Sequence, residues 1–141
     1  MPDMDYKIVA RIPDVETFAR LRAISGLSPR SRDGMEKGLP NSLFAVLVLH
    51  EDQPVGMGRI IGDGGTAYQI TDIAVDPAHQ GKGLGKTIMT ALMDWLEREA
   101  PEEAYVSLIA DGDARHLYGK FGFEPVMPAS IGMARVMEKT S

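Results

Sequence analysis

The chain contains no cysteine, which excludes a disulfide framework, a thiolate metal site and a cysteine nucleophile. It has no apolar run long enough to cross a bilayer. Its opening residues, Met1 to Lys7, lack the positively charged segment and apolar stretch of a secretory leader. A cytoplasmic protein with no membrane partner is the expectation. Positive charge is also in short supply: 15 Lys and Arg stand against 20 Asp and Glu, for a net charge of -5. Generic nucleic-acid binding uses a global positive field that this chain does not have, so nucleic acid is not expected as a partner. Internal repeats, low-complexity segments and linkers are absent too.

What is present is an ordinary globular balance, 44% hydrophobic and 25% charged in 141 residues. That composition suits one domain over residues 1–141 with one core. The order of turn signals and apolar periods then supplies the architecture. Tyr6 to Ala10 reads as a strand, and Pro13-Asp14 opens a helix whose stripe of Val15, Phe18, Leu21 and Ile24 ends at Gly26. Ser31 to Lys37 forms a second short helix, closed by Gly38 and Pro40.

Leu43 to Leu49 is almost wholly apolar, as in a strand covered on both faces. Turns at Glu51 to Pro54 and at Asp63-Gly64-Gly65 lead into strands at Val55 to Ile61 and Ala67 to Val75, predicting an antiparallel meander. Leu84, Ile88, Ala91, Leu92, Trp95 and Leu96 recur at helical spacing, with Pro101 beyond the end. Ala104 to Ala110 reads as a buried strand, and Asp113 is placed to cap a helix running to about Lys120. Phe123 to Pro125 and Met133 to Met137 can close the sheet. The expectation is an α/β (α+β) fold with a mixed, mostly antiparallel sheet of about six to seven strands flanked by about four helices.

Between the third meander strand and the clearest helix lies Asp76-Pro77-Ala78-His79-Gln80-Gly81-Lys82-Gly83-Leu84-Gly85-Lys86. A strand that runs into glycines and then a helix suits an anion. Glycines turn backbone amides toward a ligand without Cβ clashes, and the helix start offers free N–H groups at the positive end of its dipole. A tight strand-to-helix turn with no ligand uses the same residues. Gly85-Lys86-Thr87 matches the end of a triphosphate P-loop, with Val106 to Asp111 as an apolar strand ending in Asp, but that motif needs glycine where Gln80 stands. A dinucleotide fingerprint needs glycine at 81, 83 and 86, and the third is Lys86.

Gln80, Gly83 and Gly85, after Ile73-Ala74-Val75-Asp76-Pro77, resemble the fingerprint of the GNAT family of acetyl-CoA-dependent N-acetyltransferases. A second signature about thirty residues on, Ala114-Arg115-His116-Leu117-Tyr118-Gly119-Lys120-Phe121-Gly122-Phe123, resembles that family's Ala-x-x-x-Tyr-x-x-x-Gly-Phe. The element order is similar over nearly the whole chain. The resemblance implies acetyl-CoA as cosubstrate, with its pyrophosphate held by backbone amides of Gln80, Gly81, Lys82, Gly83, Leu84, Gly85 and Lys86. It implies that the strand segment Ile73, Ala74 and Val75 pairs with the pantetheine arm, and that Ile109, Ala110 and Asp111 line the opposite wall. Many members carry Asn where this chain has Asp111, and a carboxylate cannot donate the bond that an amide can.

Aminolysis of a thioester needs a proton acceptor, an oxyanion donor and a proton donor, and no metal. Without cysteine, the transfer avoids a cysteinyl intermediate. By resemblance, Tyr118 is the general acid and a backbone N–H near Val75 the oxyanion donor. The family position for a carboxylate base holds Gln69 here, which leaves Asp72, Tyr68 and a water chain as candidates. His50, His79 and His116 look scattered, without the close pairs a metal site prefers. Lys82 and Lys86 are either solvated charges or contacts to the nucleotide 3'-phosphate. Acceptor contacts in the family come from stretches equivalent to Leu27 to Leu39 and Pro125 to Ile131. Three functions therefore stay open: transfer to a primary amine of a small molecule or peptide, acetyl-CoA binding without catalysis, and P-loop nucleotide binding. A homodimer is a partner expectation by resemblance alone.

Overall fold

The computed structural model describes residues 5–139; residues 1–4, part of the N-terminal stretch read above, lie outside it, as do residues 140–141. The chain divides into two compact units, one through Leu108 and one from Ile109 on. In the first, β1 (Tyr6–Ala10) precedes α1 (Val15–Ile24) and α2 (Arg32–Gly38). Then come β2 (Phe44–His50), β3 (Gln53–Gly62), β4 (Ala67–Val75), α3 (Leu84–Glu99) and β5 (Tyr105–Ser107). The second unit holds α4 (Ala114–Gly119).

The sheet runs β1-β2-β3-β4-β5, antiparallel through β4, and its β4–β5 pair is parallel. The mixed sheet and four helices match the expectation, while the described residues form five strands rather than six to seven. The strand read at Ala104 to Ala110 is only Tyr105–Ser107, and no strand forms at 123–125 or 133–137. Those apolar letters do not alternate into a core: Ile109, Met133 and Val136 are 64%, 88% and 78% exposed. A strand needs a partner ladder as well as apolar residues, and none pairs with these segments among the described residues.

Asp14 opens α1 by accepting from the Thr17 N–H at 2.8 Å, and Ser31 does the same for α2 with the Gly34 N–H at 3.0 Å. Phe18 and Leu21 of α1, Met35 of α2 and Leu39 just after it pack on Leu47, Leu49, Met57 and Ala74, one face of the sheet. The buried residues of α3, Ile88, Met89 and Leu92 among them, serve the other face. Gly58 permits this contact, since a Cβ there would lie 2.6 Å from Ile88 Cγ2 and 3.1 Å from Leu92 Cδ1. Both faces of β2 are therefore covered, as its near-continuous apolar run required.

Candidate functional site

The loop after β4 is tied back onto the strand that precedes it. Asp76 accepts from the Ala78 N–H at 2.9 Å, starting a single 3-10 turn over Pro77–His79, and Gln80 Nε2 donates to the Val75 carbonyl at 3.1 Å. Gly81 and Gly83 follow in the left-handed region at φ 80° and 78°. Nothing lies within 4 Å of a Cβ built at either, so it is the backbone conformation, not crowding, that calls for glycine. Gly83 is the N-cap of the 16-residue α3, and it supplies no side-chain cap. The first-turn N–H groups have no intrahelical acceptor, no acidic residue sits in that turn, and Lys86 does. Helix starts ordinarily favour acidic side chains. An exposed start with glycines, a lysine and no cap is a cradle for an external anion. The helix-opening geometry thus fits a pyrophosphate.

The strand leading into this cradle is unpaired on its β5 side from Ile70 to Val75. β5 pairs only with Ala67, Tyr68 and Gln69. On the β3 side, Asp72 and Ile73 together face Gly58, because the register shifts between Met57↔Ala74 and Arg59↔Thr71. Asp72 takes up this bulge at φ 58°, a left-handed conformation that Asp tolerates better than most residues. Beyond the bulge the Asp76 N–H bonds the Val55 carbonyl at 2.8 Å. By strand alternation, the amides of Ile73 and Val75 point away from β3, toward the edge that β5 leaves uncovered. The segment read as a pantetheine partner is thus an unpaired strand edge within the first unit.

The bulge turns the Asp72 carboxylate into a cluster of arginines. Arg22 Nη1 donates to Asp72 Oδ1 at 2.5 Å and Arg59 Nε to Oδ2 at 2.9 Å. The side chains of Arg22 and Asp72 are each only 6% exposed. Both guanidinium groups also lie over the Phe18 ring, at 5.6 and 5.5 Å from its centroid. Burial pulls the Arg22 pKa below its ordinary value; Asp72 opposes this, and the charges of Arg30 and Arg59 add to it. Beside the cluster lies a cavity of about 310 Å³ lined by Phe18, Arg30, Met35, Arg59, Thr71 and Asp72 among others. Apart from Phe18 of α1, its helical wall lies within Leu27 to Leu39, the stretch expected to contact the acceptor.

Arg22 and Arg59 were not singled out by the sequence reading, although one signal existed. Arg22 stands four residues after Phe18, on the apolar stripe of α1, and an arginine on a buried face calls for a partner. Of the other base candidates, Tyr68 is 3% exposed and packs edge-on against Trp95 at 6.3 Å. The histidine reading needs correction: His50 and His79 are not scattered but lie with ring centroids 4.8 Å apart, and the Tyr6 hydroxyl meets His79 Nδ1 at 2.8 Å. No group of three or more potential metal ligands occurs among the described residues.

In the second unit, Asp111 precedes α4 and Tyr118 lies within it. Asp113 occupies the N-cap position but makes no side-chain capping bond there, contrary to expectation. Its backbone sits at ψ 2°, away from the extended conformation that aims a capping carboxylate at the first turn. Partial burial, and secondarily the Asp111 charge, push the Tyr118 phenol above its ordinary pKa.

Comparison with known proteins converges on one family. The family model described as the acetyltransferase (GNAT) family matches residues 15–123. A probable acetyltransferase of unknown function from meticillin-resistant Staphylococcus aureus has a crystal structure similar at TM-score 0.89 and 47% identity, covering 94% of this chain and 99% of that one. A Bacillus subtilis protein named as a candidate [ribosomal protein bS18]-alanine N-acetyltransferase is 27% identical over 121 residues, 82% of this chain and 78% of its own length. An uncharacterized ycf52-like N-acetyltransferase of Prochlorococcus marinus is 32% identical over 117 residues, 80% of this chain and 64% of its length.

Proposed function

The chain belongs to the acetyltransferase (GNAT) family, and from that premise we propose that it moves the acetyl group of acetyl-CoA directly to a primary amine, in a ternary complex without a covalent enzyme intermediate. The observation that carries this reading is the uncapped start of α3 behind Gly81 and Gly83, placed at the end of a strand whose outer edge has no strand partner beyond Gln69 among the described residues. Acetyl-CoA supplies the activated thioester. Backbone amides of Gln80 to Lys86 hold its pyrophosphate, and Ile73 to Val75 offer their free edge to the pantetheine arm. The Val75 carbonyl is already engaged by Gln80, so Val75 contributes its N–H, which is also the candidate oxyanion donor.

Tyr118 is assigned as the acid that protonates the departing thiolate, by its match to the second family signature. A raised phenol pKa keeps the proton available at neutral pH. For the base, geometry favours water over the two side chains. Both Asp72 oxygens accept from guanidinium groups, and Tyr68 is packed in the core. Asp72 then shapes the acceptor pocket, and the amine proton leaves through solvent. The acceptor is a small molecule or a peptide; the name of the Bacillus subtilis relative supports the second.

A thiol-release screen of amines with acetyl-CoA tests the activity, and calorimetry with acetyl-CoA tests binding separately. Tight binding with no thiol released by any amine would make the chain a binding module. Tyr118→Phe should lower kcat by about 100-fold or more while leaving acetyl-CoA affinity unchanged. An unchanged kcat would remove Tyr118 from the chemistry.

A further inference from the structure

We propose that the acceptor carries an anionic group, a carboxylate or a phosphate, bound by Arg30 and Arg59 in the cavity between α1, α2 and the sheet. The proposal rests on the acetyltransferase reading, since it names what that acceptor pocket selects.

Arg30 and Arg59 line this cavity, and their charges both act on the buried Arg22, whereas Asp72 is the one carboxylate among the lining residues. Both Asp72 oxygens are taken, one by Arg22 and one by Arg59. Two lining guanidinium groups stand against one lining carboxylate, itself shared with Arg22, which leaves an excess of positive charge in a chain whose net charge is -5. The acids of α1 and α2 do not neutralise it. Glu16 and Glu36 pair with Arg32, and Asp33 pairs with Lys37.

The arginines also have donors to spare. Arg59 spends Nε on Asp72 and Nη1 on Ser42 Oγ at 3.0 Å, and Nη2 has no acceptor among the described residues. That nitrogen is not sealed in the core, because no buried side-chain nitrogen or oxygen lacks a partner. Arg30 uses only Nη1, on Ser28 Oγ at 2.9 Å and the Pro29 carbonyl at 3.1 Å. A planar guanidinium with free N–H groups at a pocket wall is matched to the oxygens of a carboxylate or phosphate.

Position and size agree. Thr71 and Asp72 line the cavity and lie on the strand edge that β5 leaves unpaired beyond Gln69, running directly into Ile73. A volume of about 310 Å³ suits a small molecule. An amine presented at that edge would then have its anionic end among the arginines.

The test uses the whole protein saturated with coenzyme A and three primary alkylamine probes: n-pentylamine, 4-aminobutanoate and 3-aminopropyl phosphate. Calorimetry should show at least one anionic amine binding about tenfold or more tighter than pentylamine, the carboxylate and phosphate arms telling which anion is preferred. Arg30→Gln should erase most of that ratio, and Arg11→Gln, which removes an equal charge from the strand-β1 border, should retain it. Equal binding of the neutral and anionic probes, no binding of any, or an unchanged ratio in Arg30→Gln would each overturn the proposal. Thiol release by the same amines with acetyl-CoA is scored separately. Anion-selective binding without turnover would uphold the pocket and reject the enzyme, and turnover that favours pentylamine would do the reverse.

Discussion

Asp72 is the residue on which the first unit's polar interior depends. Two guanidinium groups, one of them almost wholly buried, share its single carboxylate. Removing one member of a buried ion pair leaves an uncompensated charge in low dielectric, which costs more than the pair itself contributes. Asp72→Asn should therefore destabilise the protein by about 3–5 kcal/mol in denaturant unfolding. A loss below about 1 kcal/mol, typical of a surface substitution, would mean that the cluster is solvated and that the carboxylate is free for other work. Tyr118 raises a question of pH rather than stability. Its pKa lies above the ordinary phenol value, so the proton is held through neutral and mildly alkaline solution, and the acid is lost only above about pH 10. Because the Asp111 charge adds to that rise, Asp111→Asn should move the tyrosinate titration to lower pH. The ultraviolet difference between that variant and its Tyr118→Phe counterpart isolates the one phenol; a shift to higher pH would reject the coupling.

Individual elements show why some of the structure was legible in the sequence and some was not. The meander of β2, β3 and β4 and the long helix α3 bury most of what their patterns predicted, since each has neighbours on its apolar face, and the α1 stripe buries Phe18 and Leu21 while Ile24 at its end stays 39% exposed. The loop geometry behind the proposed phosphate site was legible for a similar reason: a strand, two left-handed glycines and a helix start are contiguous in sequence. The arginine cluster was not, because Arg22 and Asp72 are 50 residues apart and meet only through a bulge that no local pattern announces. The apolar residues after Ser107 misled for want of a ladder.

Two elements carry predictions of their own. At Gly58 the added methyl of Gly58→Ala would meet Ile88 and Leu92, forcing α3 off the sheet, and should cost about 1–3 kcal/mol by overpacking. Full stability in the alanine variant would show that the helix has slack. At the β3–β4 turn, Asp63 accepts from Thr66 Oγ1 at 2.6 Å and from the N–H groups of Ala67, Gly65 and Thr66. These bonds, the Thr66 hydroxyl first, hold its carboxyl well below the usual carboxylate range. A depressed folded pKa gives stability that is present above about pH 4, the unfolded value, and lost as pH falls toward the folded one. Asp63→Asn should thus be less stable at pH 7 and lose less on acidification below pH 4, read as melting temperature against pH. Parallel pH curves for the two proteins would dismiss the turn as an acid-sensitive element.

At the scale of the whole molecule, the sign of the charge is at odds with the proposed ligand. A net charge of -5 repels an anionic cosubstrate, whereas Lys82, Lys86 and the start of α3 attract it locally. Salt separates these effects by distance. At about 0.1 M the screening length is about 10 Å, so repulsion from acids spread over the surface fades first and contacts made at the loop persist. Affinity for acetyl-CoA should therefore hold or rise slightly as salt increases from about 0.01 to 0.1 M, and fall only toward 1 M, where the screening length is about 3 Å. Replacing Lys82 and Lys86 by Gln should weaken binding and flatten the high-salt fall, because the short-range attraction that salt would remove is already gone. Calorimetric titration across that range decides the matter. A monotonic fall from the lowest salt, unchanged by the lysine substitutions, would mean that the cofactor's charge is met by cations elsewhere in the chain and that the loop contributes backbone amides alone.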